Sequence, residues 1–294
     1  MLRRIVINFA STLAITLTAI LFLAMPAILR AQGDYLDTYR VKVKPEKAAD
    51  FTALAKKWAD ANRRYNGDRW IALETVYGDT DVFVFTSTRA SYADIDKAND
   101  AVMGAVSKAF GAQTDKLLQD FSSCLASSHT ELRRRRWDLS RKAPADAAAY
   151  AKLIGEARYL RTTAFHIRPG HIADFEGILK DLKAAGESSP NTQPVFVSQA
   201  IEGSSGTVFY VTGLRSSLAG FDNNPSTGEI LPDEGIKAFL QGNAEAVEAY
   251  DSAIFRIAPE LSNAPDEIAA IAPDFWRPKP PPPAHAARAA KPKK

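Results

Sequence analysis

The sequence predicts an α+β fold of two tandem ferredoxin-like β-α-β-β-α-β repeats. Three observations predict it. The chain matches itself at an offset of 124 residues, both copies alternate strand and helix patterns in the same order, and the composition is 46% hydrophobic and 24% charged. Such a composition is ordinary for globular domains. With a single cysteine, Cys124, the fold has no intramolecular disulfide and depends on its apolar core.

The internal repeat is the strongest of these signals. "KVKPEKAADF", from Lys42 to Phe51, corresponds to "HIRPGHIADF", from His166 to Phe175. "DVFVFTSTRAS", which ends at Ser91, corresponds to "TVFYVTGLRSS", which ends at Ser217. The matches keep their order along the chain, which indicates a tandem duplication.

Each copy begins with a short alternating strand, predicted over Tyr39 to Lys44 and again over Thr163 to Arg168. A proline then opens the turn into a helix, where its fixed φ is tolerated. In the first copy the helix carries Phe51, Leu54 and Trp58, a spacing of three and four that gives one apolar stripe.

Two further strands follow in each copy, joined by the short links "DT" and "SSG", which suit hairpins. A helical region and a last strand, "ELRRRRW" or "SAIFRIA", complete the unit. This order of elements is that of a ferredoxin-like unit.

The two ends of the chain differ in composition from the body. Arg3 and Arg4 precede an apolar run and a small-residue end at Ala31, as in a secretory signal peptide. We therefore expect a periplasmic or secreted protein, or alternatively one anchored by an uncleaved N-terminal helix. The predicted organisation is a signal peptide (1–31), a first repeat (35–142), a linker or helix (143–158), a second repeat (159–263) and a Pro-rich, basic, disordered tail (264–294).

The charges of the two copies are opposite. Residues 36–142 hold 19 Lys and Arg against 15 Asp and Glu, a net charge of +4, whereas residues 143–273 hold 9 against 17, a net charge of −8. Opposite charge favours intramolecular pairing of the two repeats. The basic character of the whole chain belongs to its ends, so we expect no nucleic-acid partner, and at most weak envelope contact through the tail.

The strand, Pro-Gly turn and helix start of "FHIRPGHIADFEGIL" resemble the dimeric α/β-barrel superfamily, which includes antibiotic-biosynthesis-type monooxygenases and NIPSNAP-like and EthD-like proteins. The resemblance implies that the two sheets pack into a pseudo-dimeric α/β barrel whose interior can hold a ligand. Haem-degrading members use an arrangement of Asn, Trp and His that these positions do not match.

Polar side chains on the strand face turned away from the helices are the candidate ligand-binding residues. A barrel lined by them would suit a small polar or anionic ligand, because buried charges need partners. No catalytic motif or metal-binding pattern is present, so we expect no metal and no cofactor. The candidates are Arg40, Lys42, Glu74, His166 and Arg168.

The run Arg133–Arg136 places two arginines on each face of its strand. It is interpreted as a contact with the acidic second copy, as a solvated edge strand, or as a site for an anionic ligand. Trp58 is assigned to the core, while Trp70, at the start of a strand, is a candidate pocket residue.

The leading functional interpretation is an exported, non-catalytic small-molecule-binding or interaction module. One alternative is a cofactor-independent monooxygenase-like enzyme, which needs a reactive substrate more than it needs special residues. Another is a structural envelope protein that acts through its basic tail. The fold alone does not decide among the three.

Overall fold

The computed structural model describes residues 33–223 and 225–277, and the predicted signal peptide lies outside them. Eight strands of this part close into a barrel, in the order β1-β3-β2-β8-β5-β7-β6-β4, and all neighbours are antiparallel. The strands are β1 (Tyr35–Val43), β2 (Ile71–Tyr77), β3 (Val82–Arg89), β4 (Leu125–Arg135), β5 (Tyr159–Ile167), β6 (Val195–Glu202), β7 (Thr207–Arg215) and β8 (Val247–Ile257).

Helices cover the outside and one end of the barrel. They are α1 (Ala48–Arg64), α2 (Tyr92–Phe110), α3 (Thr114–Ser123), α4 (Ala147–Glu156), α5 (Ile172–Ser188), α6 (Thr227–Ile230), α7 (Asp233–Ala246), α8 (Asp266–Ala269) and α9 (Pro273–Trp276). In the described part of the chain, no helix is long and apolar enough to cross a membrane.

The first four strands and the last four lie in the same relative order. The barrel contains β4-β1-β3-β2 and then β8-β5-β7-β6, joined by β2 against β8 and by β4 against β6. The fold is therefore α+β with a closed barrel, as the resemblance implied. Closure leaves none of the eight strands as a free edge.

Alternation along each strand separates two layers. On β1, Val41 and Val43 pack against the α1 stripe that includes Phe51 and Leu54. Leu36 and Thr38 face the other way, into the barrel. In the second half, Ile167 of β5 packs on Phe175 and Leu179 of α5, the same strand-turn-helix arrangement. Both strands thus have two covered faces.

One end of the barrel is closed by α4, α8 and α9. Ile154, Ile268 and Trp276 pack together there, and Trp276 donates from Nε1 to the Gly155 carbonyl at 3.0 Å. The expectation of a disordered tail from residue 264 is wrong for residues 264–277, because burial of Trp276, 2% exposed, fixes this segment on the barrel. Residues 278–294 lie outside the described part.

Candidate functional site

Arg40 and Lys42 lie on the barrel-interior face of β1, beyond Thr38 and close to the rim. Both pair with Asp79, Arg40 Nη2 at 3.1 Å from Asp79 Oδ2. The hydrogen bond from Lys42, more than the effect of Arg40, lowers the pKa of Asp79. The two cations therefore share one carboxylate at an exposed rim.

His166 and Arg168 lie at the same rim, because β1 and β5 run in the same direction, four antiparallel steps apart. His166 Nε2 is 3.9 Å from Asp251 Oδ2, and its side chain is 42% exposed. Arg168 is exposed beyond the end of β5. The structure places Arg40, Lys42, His166 and Arg168 at the same rim of the barrel.

Glu74 does not join the interior face, and that prediction is wrong. It lies on the outer face, beside α1, and forms an ion pair with Arg256 of β8. Strand pairing explains the error. Leu73 pairs with Val84 of β3, and Ser198 pairs with Tyr210, the equivalent residue of β7. Ser198 therefore matches Leu73, and a slip of one residue moves a side chain to the opposite face.

A cavity lies between the first-half sheet and helices α1 to α3, on the outer face of the strands. We call it the lateral cavity; its volume is about 420 Å³. Five aromatic side chains line its wall, and Asn99 lines it as well. The aromatic lining residues are Tyr39, Trp58, Trp70, Phe85 and Phe121.

A charged network forms the polar wall of the lateral cavity. Arg89 donates to both carboxylate oxygens of Asp68, from Nη1 at 2.7 Å and from Nη2 at 2.6 Å. It also donates to Asp37 Oδ2, from Nε at 3.3 Å and from Nη2 at 3.2 Å. Burial opposes the charged form of Arg89, but the two carboxylates outweigh it and raise the pKa of the guanidinium. Among the described residues, none donates a hydrogen bond to Asp37 Oδ1.

The two tryptophans of the cavity differ in their hydrogen bonding. Trp70 Nε1 donates to the Leu261 carbonyl at 2.8 Å, whereas the buried Trp58 Nε1 has no partner in the described part of the chain. A buried donor without a partner is costly, and in a pocket wall it is a ready contact for a ligand. Trp58 is therefore more than the core residue that the sequence indicated, and Trp70 lines a pocket as predicted.

The second half carries different residues at two of the positions that line the lateral cavity. Arg161 occupies the β5 position that matches Asp37, and Leu182 the position that matches Trp58. Arg215, the counterpart of Arg89, donates to the Leu214 and Gly220 carbonyls and lies 5.3 Å from the centroid of the Phe221 ring. Burial, followed by Arg161 and Arg141, lowers the pKa of Arg215.

No three His, Cys, Asp or Glu side chains of the described residues are grouped to hold a metal ion. The lateral cavity contains Asn99 and Trp58 but is lined by no described histidine. The arrangement used by haem-degrading members is thus incomplete there. Asp37 and Asp68 belong to no motif of the sequence, whereas Arg89 recurs in the repeat as Arg215.

The arginine run divides by strand face. Arg133 stacks on Tyr210 of β7, 3.4 Å from the ring centroid, and Arg136 pairs with Glu176 of α5. The predicted contact with the second copy is therefore present at these two residues. Arg133 and Arg135 both line a second, smaller cavity inside the barrel, while Arg134 is exposed.

No family model and no curated protein matches the chain. Among solved structures, an anthrone oxidase-like protein is 14% identical with a TM-score of 0.50, and the match covers 78% of this chain and 93% of that protein. A protein provisionally named a monooxygenase, from Lactobacillus acidophilus NCFM, is 9% identical with a TM-score of 0.48, over 79% and 97% of the two chains. One provisionally named a chlorite dismutase is 9% identical with a TM-score of 0.46, over 81% and 98%.

These comparisons correct the leading functional interpretation. A non-catalytic binding module was expected, but the anthrone oxidase-like protein, which shares the fold, is named for an oxidase. At 14% identity the anthrone oxidase-like protein establishes the fold alone, so the activity is taken up as a proposal. The described part of the chain forms a closed eight-stranded barrel and shares its fold with the anthrone oxidase-like protein.

Proposed function

We propose that the chain is a cofactor-independent monooxygenase-like enzyme whose active site is the lateral cavity. One observation carries the proposal: an aromatic-walled space of about 420 Å³ holds both a partnerless indole N–H, on Trp58, and a carboxylate oxygen left free, on Asp37. This combination suits a flat aromatic substrate that bears a carbonyl group and an acidic C–H.

The chemistry follows from where these groups lie. Asp37 Oδ1 removes a proton from a CH2 group next to the aromatic frame, and the negative charge spreads onto the substrate carbonyl oxygen. Trp58 Nε1 donates a hydrogen bond to that oxygen as its charge grows, which stabilises the transition state more than the ground state. Arg89 holds Asp37 in place through its Oδ2.

Molecular oxygen is the oxidant. The deprotonated carbon gives its electrons to O2 and forms a C–O bond, and protonation yields a hydroperoxide. Loss of water then leaves a new carbonyl. The balance is one CH2 and one O2 converted to one C=O and one H2O, so the substrate supplies all the electrons. The aromatic side chains of the wall give the carbanion an apolar surrounding on that side.

Anthrone is the probe substrate, since it carries such a CH2 group and a carbonyl on a flat frame. We expect the purified protein to consume one O2 for each anthraquinone formed. Trp58→Phe is expected to lower kcat about 100-fold, the typical effect of losing one oxyanion donor. Asp37→Asn is expected to lower it at least about 100-fold, as for loss of a general base.

Asp79→Asn is the matched control, because it makes the same change at the exposed rim. Its oxygen uptake should equal that of the wild type. Uptake at the uncatalysed rate with wild-type protein, or full activity in both cavity variants, would reject the proposal.

Two further features of the chain remain inferences. We infer that residues 35–142 and 159–263 are two ferredoxin-like repeats, supported by the repeated strand order and the matching sequences. We also infer export, from the composition of residues 1–31. N-terminal sequencing of the mature protein tests it: an intact Met1 in a soluble cytoplasmic fraction would refute export.

A further inference from the structure

A second cavity lies inside the barrel, separate from the lateral cavity. We call it the barrel cavity; its volume is about 130 Å³. Side chains from both halves line it, and Tyr150 and Ile154 of α4 close one end. The proposed oxygenase chemistry uses none of its residues.

Arg135 brings a positive charge into this cavity without a carboxylate to balance it. The residue is only 8% exposed. Its Nη2 donates to Thr88 Oγ1 at 3.1 Å and to the Tyr150 hydroxyl at 2.6 Å, both of them neutral groups. Its Nε is buried without a hydrogen-bond partner among the described residues. Buried charges are otherwise almost always paired.

The neighbouring ionisable groups are already committed to one another. Glu131 accepts from Arg133 Nε through Oε1 and from the Tyr210 hydroxyl through Oε2, the latter at 2.9 Å. No carboxylate of the described residues lies within 4.0 Å of the Arg135 guanidinium. The positive charge of Arg135 is therefore available to a ligand.

Trp137 adds a second free donor to the same cavity. Its Nε1 is buried and has no partner in the part of the chain that the structure describes. The ring lies 5.1 Å from the Arg135 guanidinium carbon, so the two residues pack together at one side of the cavity. Two unsatisfied N–H groups in one small space match the two oxygens of a carboxylate.

The rest of the wall sets the character of the ligand body. Ile71, Leu73, Leu160 and Phe196 give it an apolar surface, to which Thr86 and Thr212 add hydroxyl groups. A cavity of about 150 Å³ holds a benzene molecule, so about 130 Å³ limits the apolar body to one ring or a short branched chain.

We propose that the barrel cavity binds a small monocarboxylate with an apolar body, its carboxylate held by Arg135 and Trp137. A dianion such as phosphate fits less well, since Arg133, the other arginine of the wall, is already paired with Glu131 and most of the wall is apolar. The inference is independent of the oxygenase proposal, because it concerns a different cavity and is tested by binding alone.

Benzoate is the probe, and benzamide is its neutral counterpart of the same shape. Calorimetry on the full chain should show benzoate binding about 10- to 100-fold more tightly, the range expected for a charge-assisted hydrogen bond. Benzoate should also shift the indole N–H resonance of Trp137 among those of the four tryptophans, a signal assigned by its loss in Trp137→Phe.

Arg135→Gln should remove the preference for benzoate over benzamide, and Trp137→Phe should weaken benzoate binding while retaining an aromatic ring. Arg134→Gln is the matched control: it changes the adjacent, exposed arginine on the same strand and should leave affinity unchanged. If Arg135→Gln fails to fold, Trp137→Phe and the resonance shift still decide.

Three results would overturn the proposal. The first is equal affinity for benzoate and benzamide. The second is chloride stabilising the protein as well as benzoate at equal concentration, which would make this a simple inorganic anion site. The third is loss of benzoate binding in Trp58→Phe with the Trp137 resonance unmoved, which would place benzoate in the lateral cavity.

Discussion

Arg89 is the residue on which the polar wall of the lateral cavity depends, because it is the donor shared by Asp37 and Asp68. Its side chain is 9% exposed. Arg89→Met would leave two half-buried or buried carboxylates without their cation, at an expected cost of about 3 kcal/mol in unfolding free energy. Urea denaturation of the wild type and of Arg89→Met measures this loss of unfolding free energy. Arg134→Met, at an exposed site, should stay within about 0.5 kcal/mol of the wild type; a similar small change for Arg89→Met would contradict the expectation.

The environment of Tyr210 predicts that the stability of the fold depends on pH in the alkaline range. Burial, helped by Glu131 and opposed by Arg133, raises its pKa to about 12. Below about pH 10 the hydroxyl is protonated in both folded and unfolded chains. Between about 10 and 12 only the unfolded chain loses the proton, so this contribution to stability falls by up to about 1.4 kcal/mol per pH unit.

Unfolding in urea at about pH 9 and about pH 11 tests the effect of Tyr210. Tyr210→Phe should lose less stability between the two pH values than the wild type. A spectrophotometric titration of the variant should lack the latest-ionising phenol. Equal losses in the two proteins would mean that Tyr210 ionises like a free tyrosine.

Single residues also mark where sequence reasoning failed. The face of Arg40 and Lys42 followed from simple alternation with Val41 and Val43. Glu74 was assigned to the wrong face because the repeat offset is 124 at β1 but 125 at β2. The strand pairs Leu73–Val84 and Ser198–Tyr210 show that Leu73 and Ser198 are the equivalent residues. A shift of one residue is invisible in a short apolar match, yet it reverses the face.

The strand-turn-helix unit formed by β1 and α1 recurs as β5 and α5. Phe51 and Phe175 are its fully buried anchors, 0% and 1% exposed. Phe51→Ala and Phe175→Ala should each cost about 3–5 kcal/mol, the usual penalty for emptying an aromatic core site. Thermal and urea denaturation would measure both. His171→Lys, which gives the turn the first-copy residue, should change stability by less than about 0.5 kcal/mol; a negligible cost at either Phe would refute the equivalence of the two units.

Strand limits show what alternation cannot reveal. β1 and β5 were predicted from Tyr39 and Thr163 but begin at Tyr35 and Tyr159. Their first residues break the polar-apolar pattern because both faces are covered. The inner face of β1 carries Leu36 and Thr38. Its outer face carries Asp37, which forms an ion pair with Arg89. In the sequence, a charged residue such as Asp37 indicates a loop, because its partner Arg89 is distant along the chain.

At the scale of the whole molecule, the segment after the last strand acts as a plug of the barrel. A chain ending at residue 263 would lose α8 and α9, with Ile268 and Trp276. At roughly 1.5–3 kcal/mol for each large apolar side chain, we expect a loss of about 4 kcal/mol. A chain ending at residue 277 keeps the plug and is the control. Equal melting temperatures for the two truncations would disprove the role of the plug.

The overall barrel could be predicted from the sequence because the internal repeat, the hydrophobic periodicity and the family resemblance all indicated the same fold. The lateral cavity was not, since Asp37, Asp68 and Arg89 come from a strand, a loop and another strand. Only the folded chain brings them within hydrogen-bonding distance. The same holds for Arg135, whose lack of a carboxylate is a property of its surroundings and not of its motif.

One chain supplies both halves of this barrel, and this determines how many equivalent ligand sites the barrel has. A barrel built from two identical chains repeats every pocket by symmetry. Here Arg161 and Leu182 stand where the first half has Asp37 and Trp58, so the two flanks differ in charge and shape. A ligand of the lateral cavity should saturate at a single equivalent per barrel, and the second flank is free to diverge without disturbing the first.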